Sequence, residues 1–419
     1  MTERNDALPA DAGALSVAGA GWFAAPATRA IFAALNTAQH ETRAVGGALR
    51  NTLMGLPVSD VDFATTAPPE EVTALAAKAG LKAVPTGLQH GTVTIVVDHH
   101  PFEVTTLRQD VETFGRHASV AFTRDWGLDA ARRDFTMNAL YAGADGQVYD
   151  PLGGFADLTA RRVRFIGSAR DRIREDFLRI LRFFRFTAAY GDDLEADGFS
   201  ACIAERHGLA RLSAERVRAE LLRILVAAAP MRALMPMSEA GLLGAVLGGV
   251  VRLGHVQRLI AIEAQNGLAP DALRRLAALA LMVEEDAKRL AQRLRLANAE
   301  AARLTAMAAL RPELAETTRA LALQTALYRL GGECYRDRVL LAWARGEGDT
   351  ADETWRGHLA LPERWPPPAF PLKGQDLLAA GMEKGPAMGQ LLRKLEDRWI
   401  ASGFALSRDD LLQGIPPET

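Results

Sequence analysis

A glycine pair followed by two alternating carboxylates is the feature that most constrains how this chain folds. Gly46 and Gly47 come directly after a strand predicted over residues 42–45. Asp60 and Asp62 lie two positions apart in a segment that also predicts a strand. Because alternate side chains of a strand leave the same face, the two carboxylates are expected to project together. The order of strand, glycine turn, helical turn and strand predicts an α/β unit with two acids on one strand.

The same stretch has the chemistry of a triphosphate and magnesium site. Glycines let the backbone approach a phosphate closely, and Arg50 supplies a guanidinium next to them. Adjacent carboxylates repel each other, and Mg²⁺ relieves this while leaving positions for water and phosphate oxygens. Asp60 and Asp62 are therefore candidate catalytic residues and metal ligands. A chance D-x-D and an ordinary glycine turn are the alternative, because each pattern alone is common.

The pattern of strands and helices predicts an α+β fold. A chain of 419 residues is too long for one typical core, so more than one domain is expected. β-branched runs are confined to the first 150 or so residues, and Leu- and Ala-rich helical patterns fill the remainder. Within the α/β head we predict a strand over 58–64, a mobile polar loop over 108–123 and a last strand around 135–141.

Composition excludes several classes of protein. The net charge of −2 excludes a chain that is basic throughout, and no apolar run approaches a membrane span. The first 20 residues lack the basic and apolar regions of a secretory signal, and the two cysteines have no metal or redox spacing. These features predict a cytoplasmic protein with no membrane partner. Residues 161–185 nevertheless contain nine arginines against three acids, which indicates a local anion site.

An arginine-rich helix is predicted within that basic segment. Its polar residues Asp176, Arg179, Arg182 and Arg185 recur every three positions, which puts them on one slowly drifting face. Only Glu175 and Asp176 are acids nearby in sequence, so the excess of guanidinium groups favours an external anion. The alternative is a solvated face of ion pairs within the helix.

Asp176 and Arg179 side by side would also read a nucleobase. The carboxylate accepts from the amino group of cytosine or adenine, while the guanidinium donates to the adjacent ring nitrogen. Uracil and guanine present the opposite polarity at those positions and would leave buried groups unpaired. The pair therefore predicts selection of C and A over U and G.

Two further motifs lie between the head and the arginine-rich helix. In the segment 132–140 we predict that Arg133 binds a phosphate and that Asp134 or Asn138 orients a loop or a ribose, the alternative being a solvated rim. The segment 150–158 is interpreted as a structural turn, with Asp capping and Gly permitting positive φ.

The combined motifs resemble those of the class II tRNA nucleotidyltransferases, the CCA-adding enzymes, which share a superfamily with bacterial poly(A) polymerases. The resemblance extends over about residues 43–221, roughly half of the chain. It rests on the segments 45–64, 90–107, 132–140, 150–158, 175–186 and 212–221. The segment 370–404 also resembles the tail of these enzymes, where it either binds RNA phosphates or only packs.

The resemblance implies a role for each candidate residue. Asp60 and Asp62 are implied as the Mg²⁺ ligands of the catalytic centre, and Asp176 and Arg179 as the pair that reads the incoming base. The residues implied in binding the rest of the nucleotide are Gly46, Gly47, Arg50, Arg133, Arg182 and Arg185. Asn51 departs from the family pattern, which has Asp after the motif arginine, and this affects only a local hydrogen bond.

The resemblance further implies a domain order and a reaction. The expected order is a leader over 1–24, a polymerase-β-like palm as catalytic head over 25–150, a helical base-reading neck over 151–240, and a tRNA-binding body and tail over 241–419. The expected reaction adds C, C and A to the 3′ end of tRNA from CTP and ATP. The alternatives are a poly(A) polymerase, a CC-only or A-only enzyme, and a catalytically inactive RNA-binding relative.

Overall fold

A computed structural model describes residues 15–114, 117–308 and 319–413, with the side chains of 110–120 outside the description. The chain divides into two compact units, Met1–Gly248 and Gly249–Thr419. The finer division into leader, head, neck, and body with tail stays a prediction. Of the expected leader, residues 1–14 lie outside the described part, whereas Ser16 pairs with Gln147 and Val17 is buried.

The first unit contains a seven-stranded sheet, which confirms the predicted α/β head. The strands are β1 (Thr42–Val45), β2 (Asp62–Thr65), β3 (Lys82–Gly87), β4 (Thr92–Val97), β5 (His100–Thr106), β8 (Tyr141–Ala142) and β9 (Val148–Tyr149). Their order is β3-β4-β5-β2-β1-β8-β9, in which only β2 and β5 pair in parallel. The helices on this head are α1 (Gly21–Ala24), α2 (Pro26–Leu35), α3 (Gly47–Leu53), α4 (Pro69–Lys78) and α5 (Trp126–Ala131).

The strand that carries the carboxylates is shorter than predicted. The sequence predicts a strand over 58–64, but β2 begins at Asp62, so Asp60 lies in the irregular segment before it. Residues Asp62–Thr65 pair with β1 along their full length, and the residues before Asp62 have no strand opposite them. The expectation that Asp60 and Asp62 alternate within one strand is therefore wrong, since only Asp62 belongs to β2.

Two other predictions for the head are corrected. The segment predicted as a loop over 108–123 forms a separate hairpin of β6 (Arg108–Phe114) and β7 (His117–Phe122). Gly115, on which the loop prediction depended, lies outside the described residues. The strand predicted around 135–141 is a 3-10 turn over Thr136–Asn138 followed by the two residues of β8, because β1 pairs only with Tyr141 and Ala142 in this part of the chain.

Helices complete the first unit, as the sequence predicts. They are α6 (Gly154–Thr159), α7 (Ala169–Glu175), α8 (Leu178–Tyr190), α9 (Ala196–Ala204), α10 (Ala214–Leu225), α11 (Met231–Glu239) and α12 (Leu242–Leu247). Aromatic side chains of α8, Phe183 and Phe186, pack on Phe135 with ring centroids 6.4 and 5.0 Å away. This packing joins α8 to the segment that precedes β8.

The second unit is helical throughout its described part. Its helices are α13 (Leu253–Gln265), α14 (Ala272–Ala280), α15 (Glu284–Arg293), α16 (Asn298–Ala308), α17 (Ala320–Leu330), α18 (Gly332–Arg345), α19 (Glu353–Leu359), α20 (Leu361–Arg364), α21 (Gly374–Ala379), α22 (Pro386–Ala401) and α23 (Arg408–Leu412). Across the described ranges of both units, no helix has the length and apolar character needed to cross a bilayer.

The segment 150–158 is a structural turn, as predicted. The carboxylate of Asp150 accepts hydrogen bonds from the amides of Gly154 and Phe155, at 2.7 and 2.8 Å, and Gly153 has φ 70°. A Cβ atom on Gly154 would lie 2.1 Å from the carbonyl oxygen of Thr136. The backbone of α6 therefore rests directly on the segment that lines the cleft described below.

This contact makes Gly154 sensitive to substitution. We expect Gly154→Ala to lower the free energy of unfolding by about 2–3 kcal/mol, because the backbone oxygen of Thr136 cannot yield as a flexible side chain would. Gly254→Ala, in α13 with open space around the new Cβ, is the matched control and should be neutral or stabilising. Urea denaturation measures both, and equal effects would contradict the close approach.

Candidate active site

One cleft of about 410 Å³ gathers most of the predicted site residues. It lies in the first unit, where the glycine turn, the start of β2, the segment before β8 and the α7–α8 junction meet. Eight of the ten predicted residues line it: Gly46, Gly47, Arg50, Asp62, Arg133, Asp176, Arg179 and Arg182. Asp60 and Arg185 do not line the cleft.

The glycine turn forms one wall of the cleft. Gly46 has φ 75°, a left-handed conformation that glycine adopts without strain, and its amide donates to the carbonyl of Leu140 at 3.1 Å. Gly47 then begins α3, and the first amides of a helix have no partner within it. A Cβ on Gly46 would lie 3.9 Å from the guanidinium of Arg133. The turn thus brings backbone N–H groups and a cation to the same place.

Arg50 is held rigidly beside the turn. Its guanidinium donates to Asn138 Oδ1 at 2.6 Å and to the hydroxyl of Tyr190 at 2.8 Å, and it stacks 4.0 Å from the Tyr190 ring centroid. Burial is the main reason that the pKa of Arg50 is lowered. Asn51, where the family pattern has Asp, accepts from Arg50 at 2.9 and 3.1 Å. Asn51 also donates to the carbonyl of Pro57 at 2.7 Å. The effect of this departure from the family pattern stays a prediction.

Asp62 lies in a negatively charged corner of the cleft. Its neighbour Phe63 pairs with Val104 of β5, so Glu103 stands next to Asp62 on the adjacent strand. Burial and then the negative charge of Glu103 raise the pKa of Asp62 to about 6, with a smaller contribution from Asp60, while Arg133 opposes the shift. Asp60 is exposed and accepts a hydrogen bond from Ser59 at 2.8 Å.

The donors at this corner fit a divalent cation that is shared with a substrate. Within the described ranges, no group of three or more His, Cys, Asp or Glu side chains forms a ready-made metal cage. Two carboxylates with mutual repulsion are instead the donor set that Mg²⁺ uses when water and phosphate oxygens supply its other ligands. Burial is the main cause of the raised pKa of Asp62, and the negative charges of Glu103 and Asp60 add a repulsion that such a cation would relieve.

Two arginines before β8 are anchored by one buried carboxylate. Asp129 accepts from Arg132 at 2.7 Å and from Arg133 at 3.1 Å, and it also accepts from the Tyr141 hydroxyl at 2.8 Å. Burial would lower the pKa of Arg133, but Tyr141 and Asp129 outweigh it and raise that pKa. Arg133 is therefore a fixed cation at the cleft and not part of a solvated rim.

Asp134 connects the head to α8. It accepts from both Nε and Nη2 of Arg182, with the Nε distance 2.8 Å, and from the Asn138 amide at 3.0 Å. Although burial alone would raise it, the pKa of Asp134 is lowered to about 2, chiefly by Arg182 and the Asn138 hydrogen bond. Asp134 and Asn138 thus orient Arg182 and Arg50.

The predicted single helix over 175–185 is interrupted. Asp176 adopts an extended conformation after α7, and α8 begins only at Leu178. The Asp176 carboxylate accepts from the amide of Leu178, the first residue of α8, at 3.1 Å. The four polar residues therefore do not form one helical stripe, and Asp176 instead projects from a bend at the edge of the cleft.

Asp176 and Arg179 line the same cleft but are held separately. Arg216 of α10 forms a two-pronged ion pair with Asp176, at 2.6 and 3.2 Å. Arg179 donates to the carbonyl of Arg172 at 2.7 Å and to the carboxylate of Glu175. The backbone amide of Arg179 donates to the carbonyl of Asp176 at 3.0 Å, but no hydrogen bond joins their side chains in the described part of the chain. Each group is oriented by its own neighbour, and both face the cleft.

Acids distant in sequence pair with two of the arginines of α8. Arg182 pairs with Asp134, and Arg185 pairs with Glu220 of α10 at 2.6 Å. The expectation that these guanidinium groups lack acidic partners is therefore wrong, because it considered only acids nearby in sequence. Arg185 lies on the α10 side of the helix and holds α8 and α10 together.

Two residues at the site were not predicted from the sequence. Glu103 stands beside Asp62, and Arg216 binds the carboxylate of Asp176. Both lie within segments that resemble the family, 90–107 and 212–221, but neither segment alone suggests a partner. Strand register and helix packing, which the sequence pattern does not define, bring them to the site.

Comparison with known proteins identifies the family. The chain matches the model of the poly A polymerase head domain over residues 42–164, and that of a probable RNA and SrmB-binding site of polymerase A over 193–250. It is 37% identical over 385 residues to CCA tRNA nucleotidyltransferase 1, mitochondrial, of Danio rerio, covering 89% of this chain and 86% of the relative. The chain belongs to the CCA tRNA nucleotidyltransferase family.

Further relatives agree with this family assignment. The CCA-adding enzyme of Limosilactobacillus fermentum is 30% identical, with 92% of this chain and 95% of the relative covered. The crystal structure of the Bacillus stearothermophilus CCA-adding enzyme in complex with CTP matches with a TM-score of 0.68 and 26% identity, covering 90% of this chain and 93% of that one. Membership of this family confirms the resemblance, the fold class and the nucleotidyltransferase activity, and it implies dependence on a divalent metal.

The raised pKa of Asp62 predicts a cost in stability. Because folding raises this pKa from 3.8 to about 6, the ionised carboxylate destabilises the metal-free protein fully above pH 6 and not at all below about pH 4. Asp62→Asn should therefore raise the melting temperature at pH 8, and the gain should disappear as the pH falls to about 4.

Thermal melts in EDTA from pH 4 to pH 8 measure this gain. Asp193→Asn, at an exposed residue that forms no ion pair in the described structure, is the control and should leave the melting temperature unchanged. A gain for Asp62→Asn that does not depend on pH would show that its carboxylate is not destabilised by its surroundings.

Proposed function

We propose that this protein adds C, C and A to the 3′ end of tRNA, using CTP and ATP and releasing pyrophosphate. The observation that carries the proposal is that Asp62, the glycine turn, Asp176 and Arg179 line one cleft. The cleft therefore combines a metal-binding carboxylate, a phosphate-binding turn and a base-reading pair. The relatives named CCA-adding enzymes, one of them solved in complex with CTP, support the same reaction.

The residues of the cleft divide the work of nucleotidyl transfer. The amide of Gly47 and the guanidinium groups of Arg50 and Arg133 bind the triphosphate, beside the turn formed by Gly46. Arg182 adds a further cation at the α8 side, and Arg185 supports that helix from behind. Because each of these arginines is already held by protein groups, little reorganisation is needed when charge develops on the phosphates.

Asp60 and Asp62 would hold Mg²⁺ in this proposal. When bound, the ion supplies a Lewis acid that activates the 3′-hydroxyl of tRNA and stabilises the departing pyrophosphate. Asp62 lines the cleft from the start of β2, and Asp60, two residues before it, is accessible to a bound ion because its side chain is exposed. The negative charge of Glu103 next to Asp62 would strengthen the binding of a cation at this corner.

The base is read by groups of fixed polarity. Arg216 binds Asp176 as a carboxylate, so Asp176 presents acceptor oxygens toward the amino group of cytosine or adenine. Arg179 is always a donor and faces the adjacent ring nitrogen. Uracil or guanine would place a carbonyl against the carboxylate and an N–H against the guanidinium. The pair therefore favours C and A without a nucleic-acid template.

The rival activities differ in their products. A poly(A) polymerase shares the head domain whose model the chain matches, and CC-only or A-only enzymes would share the whole cleft. The intact cleft argues against an inactive RNA-binding relative. The location predicted from the sequence, the cytoplasm, stays a prediction, since the Danio rerio relative is named a mitochondrial protein.

Addition to defined tRNA transcripts tests the proposal. Transcripts that lack CCA, lack only the final A or are complete are incubated with Mg²⁺ and single labelled nucleotides. We expect two C and then one A on the first transcript, one A on the second and no extension of the third. Many A residues on the complete tRNA would indicate poly(A) synthesis, and a product that stops after CC would indicate a CC-only enzyme.

The base-reading role predicts a loss of selectivity in one arginine variant. Arg179→Ala should lower the preference for CTP over UTP by about 10- to 100-fold, because an unpaired buried group no longer penalises the wrong base. Arg174→Ala is the matched control, since Arg174 pairs with Glu205 and does not line the cleft. Ratios of kcat/KM measure the selectivity, and an unchanged ratio in Arg179→Ala would refute the role.

A further inference from the structure

A cluster of cations lies in the second unit, outside both segments matched by family models. Arg252, His255 and Arg258 follow one another at intervals of three residues around the start of α13, so they share one side of the helix. Arg345 ends α18. We call these four residues the α13 cluster.

Backbone contacts bring the four side chains together. The Arg258 guanidinium donates to the carbonyl of Gly348, three residues after Arg345, at 2.6 Å. Arg345 donates to the carbonyl of Leu281, and the amide of Arg252 donates to Leu279 at 2.8 Å. The end of α14 thus contacts both ends of the cluster, and the loop after α18 covers Arg258.

The cluster has no acidic partner in the described part of the chain. The three arginines form no ion pair there, whereas most other arginines near them do, including Arg274 and Arg289. The acid that contributes to the electrostatics of Arg345, Asp286, is already bound to Arg289 and to the amides of Met282 and Val283. Among the described residues, therefore, no acid neutralises the charge of the cluster.

Like charges held this close destabilise one another. Burial and then Arg252 lower the pKa of Arg345 to about 10. Burial, followed by Arg345, Arg252 and Arg258, lowers the pKa of His255, which favours its neutral form. Nε and Nη1 of Arg345 are buried without a hydrogen-bond acceptor among the described residues. An anion bound to the accessible arginines of the cluster would reduce this repulsion.

We propose that the α13 cluster binds phosphodiester groups of the RNA substrate. Arg252 is exposed and Arg258 is half-buried, so both can contact a backbone phosphate, while Arg345 adds charge from beneath. A phosphodiester fits because it is an anion that several guanidinium groups can share. The inference rests on the proposed function for its choice of ligand, but it concerns a separate site and the affinity for tRNA, not the chemical step.

The salt dependence of tRNA binding tests the cluster. Binding of a tRNA transcript to the full-length protein is measured between 50 and 200 mM KCl without nucleotide. Loss of two phosphate contacts in Arg252→Gln/Arg258→Gln should weaken binding about tenfold at low salt and reduce the slope of log K against log salt by about 1.5. Arg252→Lys keeps the charge and should retain the slope of the wild type.

A double variant elsewhere in the same unit controls for net charge. Arg329→Gln/Arg356→Gln removes the same formal charge from arginines that are paired with Asp397 and Glu353, and it should leave the slope unchanged. Equal effects of the two double variants would overturn the site, because only general charge would then matter. If Arg252→Gln/Arg258→Gln proves unstable in thermal melts, the single variant Arg252→Gln, at an exposed residue, is measured in its place.

The remaining outcomes separate this inference from the proposed function. If Arg252→Gln/Arg258→Gln keeps the salt dependence of the wild type, and the wild type adds CCA, then the α13 cluster does not bind RNA phosphates and the proposed function still stands. Binding to polyglutamate, a model acidic peptide, is measured with the same variant. If Arg252→Gln/Arg258→Gln binds tRNA normally but no longer binds polyglutamate, the cluster binds an acidic peptide and the proposed RNA site is wrong. Failure of the wild type to add CCA, with tRNA binding still dependent on Arg252 and Arg258, would contradict the proposed function alone.

Discussion

The buried carboxylate of Asp134 is the interaction on which the cleft depends. It binds Arg182 of α8 and the amide of Asn138, and Asn138 in turn accepts from Arg50 beside the glycine turn. Arg50 also donates to the hydroxyl of Tyr190 at the end of α8, so the network begins and ends on the same helix. Removing one member of such a buried charged network typically costs about 3–5 kcal/mol, since its partner is left unpaired. The triphosphate side and the base-reading side of the cleft are thereby held as one arrangement.

The same principle explains why so many arginines can surround one cleft. Each is bound to a protein acceptor: Arg133 to Asp129 and Tyr141, Arg179 to Glu175, Arg182 to Asp134. Pairing prevents the guanidinium groups from repelling one another before a nucleotide arrives, and it fixes the direction in which their remaining N–H groups point. The corner of the cleft at Asp62 is the opposite case. There the carboxylates of Asp62 and Glu103 repel each other, and a bound cation would relieve that repulsion.

Much of the site could be predicted because its chemistry is local in sequence. The glycine pair, Arg50 and the strand that starts at Asp62 lie within twenty residues, and β1 is found where the pattern predicts it. The errors occur where distant contacts decide. The hairpin over 108–122 exists because its two halves pair with each other. At the break between α7 and α8, the Asp176 carboxylate binds the amide of Leu178 and the guanidinium of Arg216.

The amino-acid sequence by itself determined which groups are present: two aspartates for a metal, glycines for a phosphate, and a carboxylate and a guanidinium that match C and A. These groups can be recognised from residue types and their spacing alone. Only the tertiary structure decided which partner each charge has. Glu103 reaches Asp62 through strand register, whereas Glu220 reaches Arg185 and Arg216 reaches Asp176 through the packing of α10 on α8. Residues separated by 30 or more positions meet only when the chain is folded, and ion pairing depends on that meeting.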